Sequence, residues 1–350
     1  MEEKHLLEIQ LQNILNDVRE IPSLEFPFAR VILDGTPRWF TTSGWFWTEG
    51  FWIGLLVEVS KMTLDKHIEK IIMENYKIIS RRKSDKNTHD LGFLFYTTAW
   101  QLKEKKPDLI EDISEAVLSL MSRYREQIGL ISAWTDLNTG EEVFLIDTFM
   151  NLFLPFEYYE LINDASGKER IKEIAHTMCR FFINNDGSIN QAFSGKRKFK
   201  PVKVQGKSEK SCWARGLAWA IYGTSWFWGK TQDKIFKSTF IRLIDFLEKK
   251  WYELKRIPYD FEDSDTDIID SSAAVIILLG LYNGKNINIR ASVLFDQIWE
   301  WVKNNCLDRK KRLIHGCYHY PKHIFIDNEI IFGNYYFFKL LLALNIKEAV

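Results

Sequence analysis

About twelve helices arranged as six pairs, forming an all-α (α/α)6 barrel, are expected of this chain on three grounds. Apolar residues recur mainly at helical spacing, with few stretches of period two. The helical stretches come in pairs of which one member is apolar nearly all round and the other amphipathic, as in an inner and an outer layer. The 350 residues contain no linker-like stretch, and closed toroids of such length fold as one unit, so residues 1–350 are read as a single domain.

In chain order the expected helices span about 3–18, 44–60, 65–80, 90–104, 109–126, 147–163, 168–183, 211–228, 233–249, 270–283, 290–304 and 332–345. The first, within "MEEKHLLEIQLQNILNDVRE", is amphipathic and acidic from its second residue. The stretches "GFWIGLLVEVS", "LGFLFYTTAW", "MNLFLPFEYY", "ARGLAWAIYG", "SSAAVIILLGLY" and "FGNYYFFKLLLAL" are apolar enough to belong inside. Their partners, such as 65–80 and 109–126, alternate and belong outside.

Inner helices that alternate with outer ones all run the same way, so their N-termini gather at one end. The residues least suited to a core stand there. Trp47, Thr48, Glu49 and Trp52 open the first inner helix, His89 and Asp90 the second, and Asp147 and Asn151 the third. Trp213 and Arg215 open the fourth, Asp270, Ser271 and Ser272 the fifth, and Asn334 and Tyr335 the sixth. Exposed N–H groups and helix dipoles at such an end favour an anion. Each aspartate also has a plainer reading, because Asp is a favoured N-cap, and for Asp270 capping leads. Arg215, between Trp213 and Trp219, suits either a ring-shaped anionic ligand or an internal ion pair under aromatic packing.

Composition narrows the function. With 47 basic and 47 acidic residues the net charge is zero, which argues against a nucleic-acid protein, whose affinity rests on a basic surface. Aromatics make up 15% of the chain, including 13 Trp, a surplus that a sugar-binding cleft would use. Cys179, Cys212, Cys306 and Cys317 lack metal-ligand spacing and suggest reduced thiols. The N-terminus is unlike a signal peptide and no stretch approaches a membrane span, so a soluble, cytoplasmic protein without membrane partners is expected. No phosphate loop or G-x-S-x-G elbow occurs, and no cofactor is expected. "HGCYHYPKH", from His315 to His323, is a weak metal candidate, so no metal is expected. The basic run "KRKFKPVK", with Lys196, Arg197, Lys198, Lys200 and Lys203, reads as a solvated loop or a contact for sulfate groups.

"WTEGFWIG", "HDLGF", "DTFMNL", "QGKSEKSCWARGLAWAIYG", "DSSAA" and "HGCYHYPK…FGNYY" resemble, in order, the motifs of the unsaturated glucuronyl hydrolases of glycoside hydrolase family 88. The resemblance runs from about Trp47 to Tyr336 and implies an (α/α)6 barrel acting as a catalytic domain. It implies as partner an oligosaccharide left by a polysaccharide lyase and ending in a 4,5-unsaturated uronic acid, whose vinyl ether is hydrated. By the same resemblance Asp147 is the general acid and base, and Asp90 the second aspartate, holding sugar hydroxyls and adjusting its neighbour. His89, Trp47, Trp134, Gln205, Arg215 and Trp219 match positions that line the substrate pocket. Gln191 stands where the family commonly has histidine and is expected to line the substrate pocket as well, and Asn334 stands where aspartate is common; both bear on substrate preference. The alternatives are a related hydrolase of unsaturated galacturonyl-rhamnose and a non-catalytic sugar-binding toroid. The linked sugar and the oligomeric state are left open.

Overall fold

The computed structural model describes residues 2–195, 199–263 and 267–346. Its helices, in chain order, are α1 (Glu2–Glu20), α2 (Glu49–Thr63), α3 (Lys66–Ile79), α4 (Leu91–Tyr96), α5 (Ala99–Leu102), α6 (Leu109–Met121), α7 (Thr148–Asn151), α8 (Phe153–Leu161), α9 (Ala165–Phe182), α10 (Ala214–Thr231), α11 (Lys234–Leu254), α12 (Ser271–Gly284), α13 (Ile289–Asn305) and α14 (Ile331–Ile346). The inner layer is α2, α4–α5, α7–α8, α10, α12 and α14. Each packs on the next, and α14 closes the ring against α2. The outer layer is α1, α3, α6, α9, α11 and α13, giving the (α/α)6 barrel that the pairing predicts. Among the described residues no helix is long and apolar enough to cross a membrane.

Two inner helices are broken where the sequence expects one run each. Between α4 and α5 the hydroxyls of Thr97 and Thr98 bond back to the carbonyls of Phe93 and Leu94 at 2.7 and 2.6 Å, a pattern that bends helices. Between α7 and α8 the cause is Pro155, which cannot donate to the Asn151 carbonyl four residues earlier.

The short strands are the part the periodicity does not foresee. They are β1 (Phe26–Leu33), β2 (Thr36–Thr42), β3 (Tyr124–Arg125), β4 (Leu130–Ile131), β5 (Trp134–Thr135), β6 (Glu142–Leu145), β7 (Ala192–Ser194), β8 (Lys200–Pro201), β9 (Gly316–His319) and β10 (Ile324–Ile330). Most are too short to show a period of two. The longest, β1, is buried continuously through its first half rather than alternately. They form sheets ordered β2–β1–β10–β9, β3–β4 and β5–β6–β7–β8. All of them lie in connections that lead from an outer helix into an inner one. The connections at the other end are short, as from Thr63 to Lys66 or from Thr231 to Lys234. The loops and sheets therefore build one elaborated end, where the inner helices begin.

Side-chain caps are shared unevenly between the layers, with α6 uncapped among the outer helices and α12 capped among the inner ones. Outer helices α3, α9, α11 and α13 begin on side-chain caps from Asp65, Asp164, Asp233 and Asn288. Inner helices α2, α4, α7 and α10 have no side-chain cap, so their first N–H groups are not taken by a cap at the elaborated end.

Candidate active site

Asp90, Asp147 and Asp270 all stand immediately before an inner helix, and their backbones decide what each carboxylate does. Asp270 has φ −127° and ψ 93°, the extended geometry of an N-cap, and accepts from the N–H groups of Ser272 and Ala273. Asp90 (φ −75°, ψ 9°) and Asp147 (φ −68°, ψ −11°) do not, and neither side chain caps its helix. The capping expected of Asp270 is thus observed, and the other two carboxylates border a cavity instead.

Local structure aims them. The Asp90 N–H donates to Thr88 Oγ1 at 3.0 Å, and the Thr88 hydroxyl donates to Asp90 Oδ2 at 3.1 Å. Asp147 leaves the end of β6, which pairs with β7 through Leu145 and Ala192, and the Ile146 N–H is fixed by the Gln191 carbonyl at 3.1 Å. His89 stands between the carboxylates. Its Nε2 lies 3.1 Å from Asp90 Oδ1 and 3.5 Å from Asp147 Oδ1, and its Nδ1 lies 3.3 Å from Thr148 Oγ1. Asp147 Oδ1 is buried, with no hydrogen-bond partner among the described residues.

The two carboxyls are pushed apart electrostatically. Burial raises Asp147 to about 6, with His89 and Arg215 opposing and the Asp90 charge adding to the rise. Burial works against ionised Asp90 too, but the His89 charge and the hydrogen bonds from His89 and Thr88 outweigh it and hold Asp90 below its usual value. Burial would favour neutral His89, yet the charges of Asp90 and Asp147 hold the ring above the usual histidine value. One carboxyl that keeps its proton beside one that has lost it is the arrangement an acid–base pair needs.

The walls are aromatic. Trp47, Trp134 and Trp219 line the cavity, joined by Trp213 and Tyr318. Trp47 is stacked on Phe332 with centroids 5.3 Å apart, and Trp219 meets Phe93 and Tyr336. Gln205 and Arg215 complete the lining taken from the sequence.

Arg215 is engaged by the protein. Its Nη1 donates to Asp270 Oδ2 at 2.9 Å and to the Cys317 carbonyl at 2.6 Å, and its Nη2 to Gln205 Oε1 at 2.5 Å and the Tyr318 carbonyl at 2.7 Å. Its guanidinium carbon lies 4.7 Å from the Trp213 ring and 5.1 Å from that of Phe332. Of its two sequence readings, the geometry is that of the internal ion pair under aromatic packing, and the four terminal N–H groups all have acceptors.

Gln191 is a correction. The sequence places it in the substrate pocket, but its Oε1 accepts the N–H groups of Val204, Gln205 and Gly206 at 3.1, 2.7 and 2.7 Å, and its Nε2 donates to the Ser208 carbonyl at 2.8 Å. It is buried and clamps the loop that carries Gln205. Asn334 and Tyr335 also lie elsewhere, because α14 begins at Ile331. Asn334 donates to Glu329 Oε1 at 2.7 Å, and Tyr335 packs on Phe51 at 5.3 Å.

Tyr318, Thr88 and Thr148 carry no mark of function in the sequence. Tyr318 lay in a stretch read for its histidines, and the two threonines flank site residues in "THD" and "DT". The three histidines of that stretch do not converge: His315 pairs with Asp327, His319 is buried in β9, and His323 occupies a left-handed turn. Among the described residues no group of three His, Cys, Asp or Glu side chains could hold a metal ion. Of the basic run, residues 196–198 lie outside the described residues, while Lys200 and Lys203 are exposed.

The model of Glycosyl Hydrolase Family 88 matches residues 34–228. An unsaturated chondroitin disaccharide hydrolase of Streptococcus agalactiae serotype III is 27% identical over 330 residues, covering 85% of this chain and 80% of that protein. An unsaturated glucuronyl hydrolase of Formosa agariphila is 28% identical over 318 residues, covering 84% of this chain and 79% of that protein. In fold, the chain resembles the crystal structure of an unsaturated glucuronyl hydrolase specific for heparin, with a TM-score of 0.88 at 21% identity over 99% of this chain and 98% of that one. It also resembles the unsaturated glucuronyl hydrolase of Bacillus sp. GL1, with a TM-score of 0.84 at 24% identity over 97% and 94% of the two chains.

Proposed function

The chain belongs to glycosyl hydrolase family 88, and on that premise we propose that it removes the 4,5-unsaturated uronic acid from the non-reducing end of oligosaccharides made by polysaccharide lyases. The reaction is hydration of the ring's vinyl ether. A proton goes to C4 and the oxygen of water to C5. The hemiketal so formed opens to a ketone at C5 and releases the neighbouring sugar from C1. No attack at the anomeric carbon is needed, so the carboxyl spacing used to classify ordinary glycosidases does not apply.

The observation that carries this reading is Asp147: a buried carboxyl, excused from capping, whose Oδ1 faces His89 and has no hydrogen bond among the described residues, with a value raised to about 6. Protonated, it gives its proton to C4. As a carboxylate it then takes a proton from the water that adds to C5, which restores it. Asp90 stays ionised, accepts from sugar hydroxyls and keeps Asp147 from losing its proton early. Trp47, Trp134 and Trp219 offer flat faces to the sugar, and Gln205 offers an amide. Arg215 acts through Gln205 and the Tyr318 backbone, since its terminal N–H groups are occupied. The free, buried cysteines Cys179, Cys212, Cys306 and Cys317 fit a reducing compartment, and the cytoplasm is the proposed location.

The test is a panel of lyase-made disaccharides from chondroitin, hyaluronan, heparin and other uronate polymers, followed by loss of the double bond's ultraviolet absorbance. Asp147→Asn keeps the shape without the transferable proton, so its turnover should fall at least about 10²-fold with binding largely retained. Near-normal turnover in that variant would overturn the assignment.

A further inference from the structure

His89 has a protein oxygen at each ring nitrogen and is almost wholly buried. Nε2 faces Asp90 and Asp147, while Nδ1 faces the hydroxyl of Thr148, the first residue of α7, itself buried. A threonine hydroxyl can donate to a neutral ring nitrogen or accept from a protonated one. Oγ1 therefore suits both charge states of the imidazole and keeps Nε2 aimed at the carboxylates in each.

We propose that Thr148 is a positioning residue for the proton donor: its hydroxyl orients the His89 ring and lets that ring carry a positive charge beside Asp147. This rests on the reading of Asp147 as the acid. His89 is faced by Asp90 and Asp147 and, opposing its charge, by Arg123. Asp147 is faced by His89, Asp90 and Arg215, and Asp90 by His89 and Arg82. Without the hydroxyl, a charged ring would bury an unpartnered Nδ1–H, which costs more than burying the unpartnered nitrogen of a neutral ring. His89 would then hold its second proton less tightly, Asp147 would lose a neighbouring positive charge, and its carboxyl would stay protonated to higher pH.

Thr148→Val keeps the shape and removes the hydroxyl. The falling alkaline limb of kcat/KM, which reports the essential acid of the free enzyme, should move up by at least about 0.5 pH unit. Thr148→Ser should return it toward wild type. A second readout needs no turnover: in protein with nitrogen-15 histidine, the His89 ring, assigned through His89→Gln, should titrate at lower pH in Thr148→Val than in wild type. If the valine variant does not fold, Thr148→Ala serves for the same measurement. An unmoved His89 titration and an unmoved limb, or equal behaviour of the Ser and Val variants, overturns the proposal. Its failure is distinct from failure of the functional reading, which is decided by Asp147→Asn and the substrate panel, whereas the ring titration is read without substrate.

Discussion

At the residue scale, Arg215 and Asp270 form one device. Asp270 Oδ1 caps α12 and its Oδ2 receives Arg215 at 2.9 Å, with both side chains buried. Removing one member of such a pair strands the other charge away from water. Arg215→Ala should therefore cost about 3–5 kcal/mol of stability, seen as a lower melting temperature, and should also lower activity by freeing Gln205 and the Tyr318 strand. Arg215→Lys should rescue little, because one ammonium cannot reach the four acceptors that the guanidinium spans. A melting temperature unchanged in Arg215→Ala would return this residue to direct substrate contact.

At the element scale, the site depends on how closely α4 and α7 approach. The Phe93 N–H in α4 donates to Asn151 Oδ1 in α7 at 2.9 Å. A Cβ at Gly92 would collide with the Asn151 backbone, a rigid obstacle. This glycine lets two helix starts touch, so that Asp90 and Asp147 share His89. Gly92→Ala should force the starts apart. A displacement of about 1 Å can cost on the order of 10²-fold in rate, so kcat should fall steeply with some loss of stability. Wild-type kcat in a folded Gly92→Ala protein would show that this spacing does not set the chemistry.

At the scale of the whole molecule, the ring is sealed by a buried charge network joining the two ends of the chain. Arg312 donates to Asp17 of α1 at 2.8 and 3.0 Å and to Glu329 of β10 at 2.9 Å, while Arg30 of β1 reaches Asp17 at 3.1 Å. Burial pushes Glu329 up to about 7, with Arg312 opposing and Asp17 adding, and its Oε2 has no hydrogen-bond partner among the described residues. The unfolded chain would release this proton near the ordinary value of about 4.3. Between that value and 7 the folded protein binds more protons than the unfolded one, so this group's contribution to stability is lost as pH rises through the window. Asp147, raised to about 6, acts in the same direction. Glu329→Gln cannot ionise and should make the decline of the urea midpoint between about pH 5 and 8 shallower. A slope equal to wild type would remove Glu329 as its source.

The pairing and order of the helices, their inner and outer layers, and the gathering of Asp90, Asp147, His89, Trp47 and Trp213 at one end are legible in the sequence alone. Those features are local: a helix declares its buried faces every three or four residues, and alternation of layers fixes the end at which the inner helices begin. What the shared residue types do there depends on contacts that form across the folded barrel. Asp270 caps while Asp90 and Asp147 do not, because a Thr88 turn and the β6–β7 pairing set backbone angles that no single residue states. The partners of Arg215 lie 10, 55, 102 and 103 residues away, and those of Gln191 lie across a loop that β7 brings back to it. Hydrogen-bond partners so distant in sequence leave no periodic trace, and they exist only once the barrel has closed.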